Sequence, residues 1–400
     1  MKKIFATIVA TTMLAATLLS GCGNGDGGGA AAPGGGEGNT SADTIKIGWI
    51  GAVTGDQAVW GTAEKQTLEM LIEQTNADGG ILGKQVELVA YDTRGDVTEA
   101  VNATKRLTTQ DNVIGIIGPN ASDQAIAIAG TLEQAKVPDI ATVATNPKVT
   151  VDDSGKVKDY NFRVCFIDPY QGAVAAGYAY EKLGFKSAAI LYDVASDYSQ
   201  GFTQYFEETF TKLGGTIVAK EGFKTGDVDF RPQLSKIKET NPEVILMPYF
   251  YKEVALTANQ ARDLGITAVL MGGDGWPSEQ LMEMAQNAVQ GSIIVNHLDY
   301  ADPEAVPLKE AYEAKFGTPT ELNTYMANDA FLLLKAAIEK AGEPNSVKVT
   351  QALNEVTVKG VTGNIKIDPE THNPDGKEAA IVKIEGDQYI FQEKYGIKVD

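Results

Sequence analysis

The polar residues that could do chemistry in this chain are scattered singly among turns. Ser122 stands after "GPNA" at the head of a helix-period segment, Thr145 precedes Asn-Pro in "VATNP", and Asp274 lies between glycines in "GGDGW". A serine at a helix start caps a free backbone amide. The amides left over, helped by the helix dipole, make a seat for an anion. A lone threonine before Asn-Pro and a Gly-Asp-Gly step are, by themselves, turn chemistry. Five aromatic residues, Trp60, Tyr170, Tyr198, Phe250 and Trp276, fall in segments where a turn does not require them. Catalytic patterns are missing from the sequence: it contains neither a G-x-S-x-G elbow nor an H-E-x-x-H pair, which argues against an exported hydrolase. His297 and His372 stand far apart, without H-x-x-x-H or C-x-x-C company. A zinc site needs three or four such ligands, so neither metal nor cofactor is expected, and the chain reads as a non-enzyme.

The elements that must hold these residues alternate in type. Short β-branched runs ("TIKIGWIGAV", "QVELVAYDT", "VIGIIGP", "PDIATVA", "NFRVCF", "SAAILYD", "TIVAKEGF", "VILMPYF", "AVLMGGD", "SIIVNH") are separated by amphipathic stretches such as 62–76, 122–134, 200–213 and 254–264. Several runs are apolar on successive residues, as strands covered on both faces of a parallel sheet should be. The alternation predicts an α/β architecture with right-handed crossovers. The length beyond Thr44 exceeds one hydrophobic core, so two lobes are expected. Ligands of open parallel sheets sit beyond the carboxyl ends of the strands, and the segments there, including "VTGDQAVWG", "GPNASDQ", "VATNPK", "DVASDYSQG", "YFYKE" and "GGDGWPSE", are rich in Gly, Asp, Ser, Thr and aromatics.

The amino-terminal stretch reads as export rather than fold. Lys2 and Lys3 precede an uncharged, mostly apolar run from Ile4 to Leu19, rather short for a membrane span. Leu19-Ser20-Gly21-Cys22 resembles the lipobox of bacterial lipoproteins, in which the cysteine is lipidated and the chain is cut just before it. Residues 23–42 carry no large apolar side chain; such a coil spans about 25 Å and serves as a leash. Loss of Lys2 and Lys3 takes the 34 basic residues to 32 against 53 acidic ones, a balance of −21. A surface this acidic is poorly suited to nucleic acid or to polybasic attachment to anionic lipid, so membrane association falls to the acyl chains. Cys165, in "NFRVCF", has no disulfide partner beyond Cys22 and is expected to be a buried, apolar-like residue.

Together, "IGWIGAVTGDQAVWG", "GGILGKQVELVAYDT", "GPNAS", "VATNPKVT", "FRVCFIDPYQG" and "LMGGDGW" resemble the branched-chain amino-acid-binding proteins that serve ABC importers, of the type I periplasmic-binding-protein group. The similarity runs in order through nearly all of 44–400. It implies two Rossmann-like lobes with parallel sheets joined by a three-strand hinge: 44–167 plus 298–374, and 168–297 plus 375–400, after a signal segment 1–21 and a linker 22–43. It further implies an amino-acid ligand between the lobes, with its carboxylate at Ser122, both head groups near the Thr145 hydroxyl, and its ammonium on the Val143 carbonyl and Asp274. Trp60, Tyr198 and Phe250 match the family's aromatic positions. Trp60 stands where tyrosine is frequent, and Phe250 replaces a tyrosine, so the preferred side chain stays open. The implied protein is a monomeric receptor held to the membrane by lipid, working with a permease. A receptor for short amides, urea or aromatic acids, or an accessory ligand sensor, remains the alternative.

Overall fold

The computed structural model describes residues 44–397; the expected signal segment, Cys22 and the linker lie outside the described residues. The chain begins with β1 (Thr44–Gly51), α1 (Ala58–Ala77), β2 (Gln85–Asp92), α2 (Val97–Arg106), β3 (Ile116–Ile117), α3 (Ser122–Ala135), β4 (Asp139–Ala141) and β5 (Asn161–Arg163). These strands form one parallel sheet in the order β2-β1-β3-β4-β5. The apolar run of β1 is explained by cover on both faces. Ile45, Ile47 and Trp49 pack with Leu68 and Ile72 of α1, while Ile50 packs with Ala100 and Ala103 of α2.

A second unit of the same plan follows: α4 (Asp168–Gly177), β6 (Ser187–Asp193), α5 (Asp197–Lys212), β7 (Thr216–Phe223), α6 (Arg231–Thr240), β8 (Val244–Leu246), α7 (Tyr251–Asp263), β9 (Val269–Gly272), α8 (Glu279–Ala285) and β10 (Ile293–Asn296). Its parallel strands run β7-β6-β8-β9-β10, so each sheet has its second strand outside its first. In both, the chain direction switches between the first and third strands, where α/β sheets open a ligand crevice.

The chain then returns to the first sheet. Among α9 (Val306–Phe316), α10 (Leu322–Ala341) and α11 (Ser346–Leu353), α10 packs on α1, β3 and β4, with Phe331 and Leu334 joining the core of β1. After the small hairpin of β11 (Thr357–Gly360) and β12 (Gly363–Lys366), the chain goes back to the second sheet as β13 (Ala379–Glu385) and β14 (Gln388–Tyr395). The passages after β5, after β10 and before β13 are three crossings between the sheets.

Strict alternation of strand and helix fails at this end. β13 pairs antiparallel with β10, and β14 antiparallel with β13, through a turn at Gly386 with φ 64°. The sheet tolerates this because β14 is an edge with one partly wet face, so its sequence need not be continuously apolar. Cys165 lies just past β5 rather than in it. It is fully buried, its thiol donating to the Ala144 carbonyl at 3.4 Å, and burial pushes its pKa up to about 12. No helix among the described residues is long and apolar enough to cross a membrane.

Candidate ligand-binding site

The segments beyond the two switch points face each other. Trp60, Asn120, Ala121, Ser122, Val143 and Asn323 on the first-sheet side enclose, with Tyr198, Phe250, Asp274 and Gly275 on the other, a cavity of about 20 Å³. That volume admits on the order of one water-sized body, so a larger ligand enters only when the walls part. Six of the seven residues singled out from sequence line this cavity. Thr145 does not: it is fully buried, its carbonyl accepting from the Asp168 amide at 2.9 Å, with its hydroxyl beside the Asp168 carboxyl. Of the other loop aromatics, Trp276 is core, its indole donating to the Met247 carbonyl at 2.8 Å, and Tyr170 packs on Phe166.

Ser122 corrects an expectation. Ala121 holds the cap position with extended backbone, and Ser122 is the first helical residue of α3. Its hydroxyl accepts from the Asn146 amide at 3.2 Å, which ties the β4 loop to the helix start. Ala121 at the cap position offers no side-chain acceptor, so the start of α3 keeps its capacity for an anion, supported by the helix dipole. Asp123 in the same turn is drawn away, accepting from the Asp197 amide of the second lobe at 2.8 Å; burial raises its pKa to about 6.

The opposite wall carries the formal charge. Asp274 is only 4 % exposed and receives the His297 Nε2–H at 2.9 Å. A carboxylate acceptor favours that tautomer, and burial lowers the His297 pKa. The bond orients the Asp274 carboxyl group toward the cavity wall. His297 itself lies at the second crossing and stacks on Phe166 of the first at 3.6 Å between centroids. Nothing in the local sequence around His297, read for metal ligation or for a catalytic base, marks this bond. The flanking glycines are required by close approach: a Cβ on Gly273 would lie 2.9 Å from the Tyr198 hydroxyl, and one on Gly275 3.0 Å from Phe250. The Tyr198 hydroxyl lies buried in this wall beside the Asp274 carboxyl and the Gly275 amide, and desolvation raises its pKa.

Trp60 crosses the divide. It comes from α1, yet it packs in the second lobe's apolar cluster, edge-on to Phe250 at 5.5 Å and to Tyr251 at 5.1 Å. Its indole donates to the Pro277 carbonyl at 3.0 Å. Nearby, the Tyr251 hydroxyl donates to the Asp56 carbonyl at 2.8 Å and Lys252 pairs with Asp56 at 2.7 Å.

Two polar residues in the cavity wall, Asn120 and Asn323, have no counterpart in the sequence reading. Asn323 is contributed by the start of α10, far from every post-strand loop. A wider groove of about 1190 Å³ runs past Met282, Tyr300 and Tyr389; it is open to solvent and contains none of the converging groups.

Two lobes of one strand order, closing polar and aromatic groups between the carboxyl ends of their sheets, define a bilobal ligand receptor. A family model described as "Periplasmic binding protein" matches residues 44–388. A leucine-, isoleucine-, valine-, threonine- and alanine-binding protein of Pseudomonas aeruginosa is 30% identical over 329 residues, covering 82% of this chain and 87% of its own. The crystal structure of a leucine-binding protein from Thermotoga maritima superposes with a TM-score of 0.81 at 33% identity, covering 88% of this chain and 99% of its own. A branched-chain amino acid transporter substrate-binding protein from Streptococcus pneumoniae, solved in complex with isoleucine, also gives 0.81, at 31% identity over 88% and 100%. The chain belongs to the periplasmic binding protein family, in its branched-chain amino-acid-binding group, and its fold is of type I.

Proposed function

We propose that this chain is the extracytoplasmic substrate-binding lipoprotein of an ABC importer, capturing an α-amino acid with a short branched side chain and delivering it to the permease. The relatives above are named for leucine, isoleucine and valine among their ligands. The observation that carries the reading is the pairing of two complementary ends in one enclosed cavity: the start of α3 on one wall and the Asp274 carboxylate on the other. A ligand with a carboxylate and an ammonium fits that polarity. In this reading Ser122 and the α3 amides hold the carboxylate, and Asp274 with the Val143 carbonyl holds the ammonium. Trp60, Tyr198 and Phe250 wall the side chain. Thr145 acts from behind, through the Asp168 turn.

The lobes, 44–167 plus 298–374 and 168–297 plus 375–400, close about the three crossings, and ligand stabilises the closed form because it touches both. Cys22 is the lipidated residue that keeps the monomer at the membrane, and Cys22→Ser releases it to the soluble fraction with ligand binding intact. A thermal-shift screen across amino acids, short amides and aromatic acids tests the assignment, because a ligand bound only by the folded state raises stability as RT ln(1 + [L]/Kd). Stabilisation by amides or aromatic acids alone would hand the site to that alternative.

A further inference from the structure

Behind the first wall of the cavity lies a fully buried carboxylate that the head-group chemistry does not use. Glu64 stands one turn after Trp60 on α1. Its Oε1 accepts from the Thr142 hydroxyl at 2.6 Å and from the Asn323 amide nitrogen at 2.7 Å, and its Oε2 accepts from the Trp49 indole at 3.2 Å. Burial raises its pKa to about 7 against the pull of these three bonds. An indole N–H can only donate, and a carboxyl group surrounded in this way takes the NH₂ side of the Asn323 amide. The orientation of Asn323 is thereby fixed: its nitrogen faces Glu64 and its Oδ1 is left over. Asn323 is 3 % exposed and lines the cavity, and among the described residues its side chain bonds only through the nitrogen to Glu64. Its Oδ1 is therefore an acceptor open to the cavity, left for a donor on the ligand. With the α3 amides and Asp274 assigned to the ligand head groups, this acceptor belongs to the part of the wall that meets the side chain.

We infer that Asn323, oriented by Glu64, selects amino acids whose side chain carries a hydrogen-bond donor, a hydroxyl or a primary amide, over methyl-ended isosteres of the same shape. The inference rests on the amino-acid reading above and narrows it: within the short branched shapes, threonine ranks above valine. A methyl group against Oδ1 leaves the acceptor buried and unpaired, whereas a donor satisfies it, a difference of about tenfold or more in affinity. Site-built polarity discriminates in this direction more sharply than an added methylene does in an apolar pocket.

Calorimetry on the wild-type chain with two isosteric pairs, threonine against valine and asparagine against leucine, tests this. The expected result is that the donor-bearing member of at least one pair binds about tenfold tighter. Asn323→Leu should abolish or reverse that order, and Glu64→Gln, which lets the amide turn round, should shrink it. The wild-type comparison needs no variant to fold. If the methyl-ended member binds as tightly or tighter in both pairs, or if both variants keep the wild-type ratio, Asn323 does not set specificity and the inference is overturned while the amino-acid reading stands. If none of the four ligands binds, the amino-acid reading falls, and this inference with it.

Discussion

The two lobes place their cavity residues at the same three positions of the same strand order, but with different chemistry. After the first, third and fourth strands, the first lobe offers Trp60, Ser122 and Val143, and the second offers Tyr198, Phe250 and Asp274. The first wall is neutral and works mainly through backbone groups and amides. The second is aromatic and holds the formal charge, steadied from the hinge by His297 and Phe166. Repetition of the fold supplies two crevices, and divergence of three residues in each makes them complementary. A ligand that needs both ends favours the closed arrangement by the difference in its contacts between open and closed forms. Trp60 is the exception to the division, since it leaves its own lobe to pack in the other's core.

Removing the charge from the second wall breaks the complementarity most severely. A desolvated ammonium without its counter-charge costs roughly 3–5 kcal/mol, so Asp274→Ala should weaken amino-acid binding about a hundredfold or more by calorimetry. Asp274→Asn, which keeps the shape, should lose somewhat less. Next comes the residue that crosses. Trp60→Ala removes an aromatic wedge worth about 2–3 kcal/mol of burial, and should weaken binding by tens of fold. The variant should also give a smaller ligand-induced compaction in small-angle scattering. Unchanged affinity and compaction would show that closure does not draw on this contact.

On the neutral wall the effect should be smaller. Ser122→Ala deletes the hydroxyl that holds the Asn146 amide and, in this account, the ligand carboxylate, while the α3 amides stay in place; a loss of about 1.5 kcal/mol should cost about tenfold in affinity. A loss as large as that of Asp274→Ala would erase the contrast between the walls. A last effect concerns stability rather than affinity. Glu321, the cap of α10, accepts from the Glu279 amide across the lobes at 3.4 Å, and burial raises its pKa to about 8. Its folded form binds the proton more tightly than its unfolded form. The stability it contributes is therefore full below the unfolded value near 4.5 and is lost as pH rises toward about 8. Between pH 6.5 and 8.5 the wild type should lose about 2 kcal/mol relative to Glu321→Gln, seen in parallel melts as a Tm difference that moves steadily in favour of the variant. A gap that is constant across that range would contradict the assignment.

Much of this arrangement was legible because both crevices are built from local sequence. Each wall residue but Asn323 follows a strand within a short glycine- or proline-bearing segment; position after the strands marked these segments, and the family resemblance singled out Trp60, Ser122, Val143, Tyr198, Phe250 and Asp274 within them, which the fold brings to one cavity. What escaped depends on chain distance. Asn323 meets Glu64 across 259 residues, and nothing in "ELNTYM" or "GTAEKQ" signals that meeting. His297 follows β10 in a stretch that reads as the end of a strand, and its bond to Asp274 exists only once the crossings align. The hairpin of β13 and β14 was hidden differently. Its edge strand alternates weakly, and only the Gly386-Asp387 turn marks it. Thr145 is the reverse case: the family resemblance placed it with the ligand contacts, while its side chain lies against Asp168 and outside the cavity lining.

The central claim, that one charged wall and one amide-lined wall together recognise an amino acid, is tested most directly by exchanging the ligand's ammonium alone. The measurement is calorimetry of the best-stabilising amino acid and of its 2-hydroxy acid, on wild type and on Asp274→Ala. The wild type should prefer the amino acid by about a hundredfold, and the variant should bind both with similar, weak affinity. Equal affinity of the two ligands for the wild type, or a preference that survives loss of Asp274, would contradict the account.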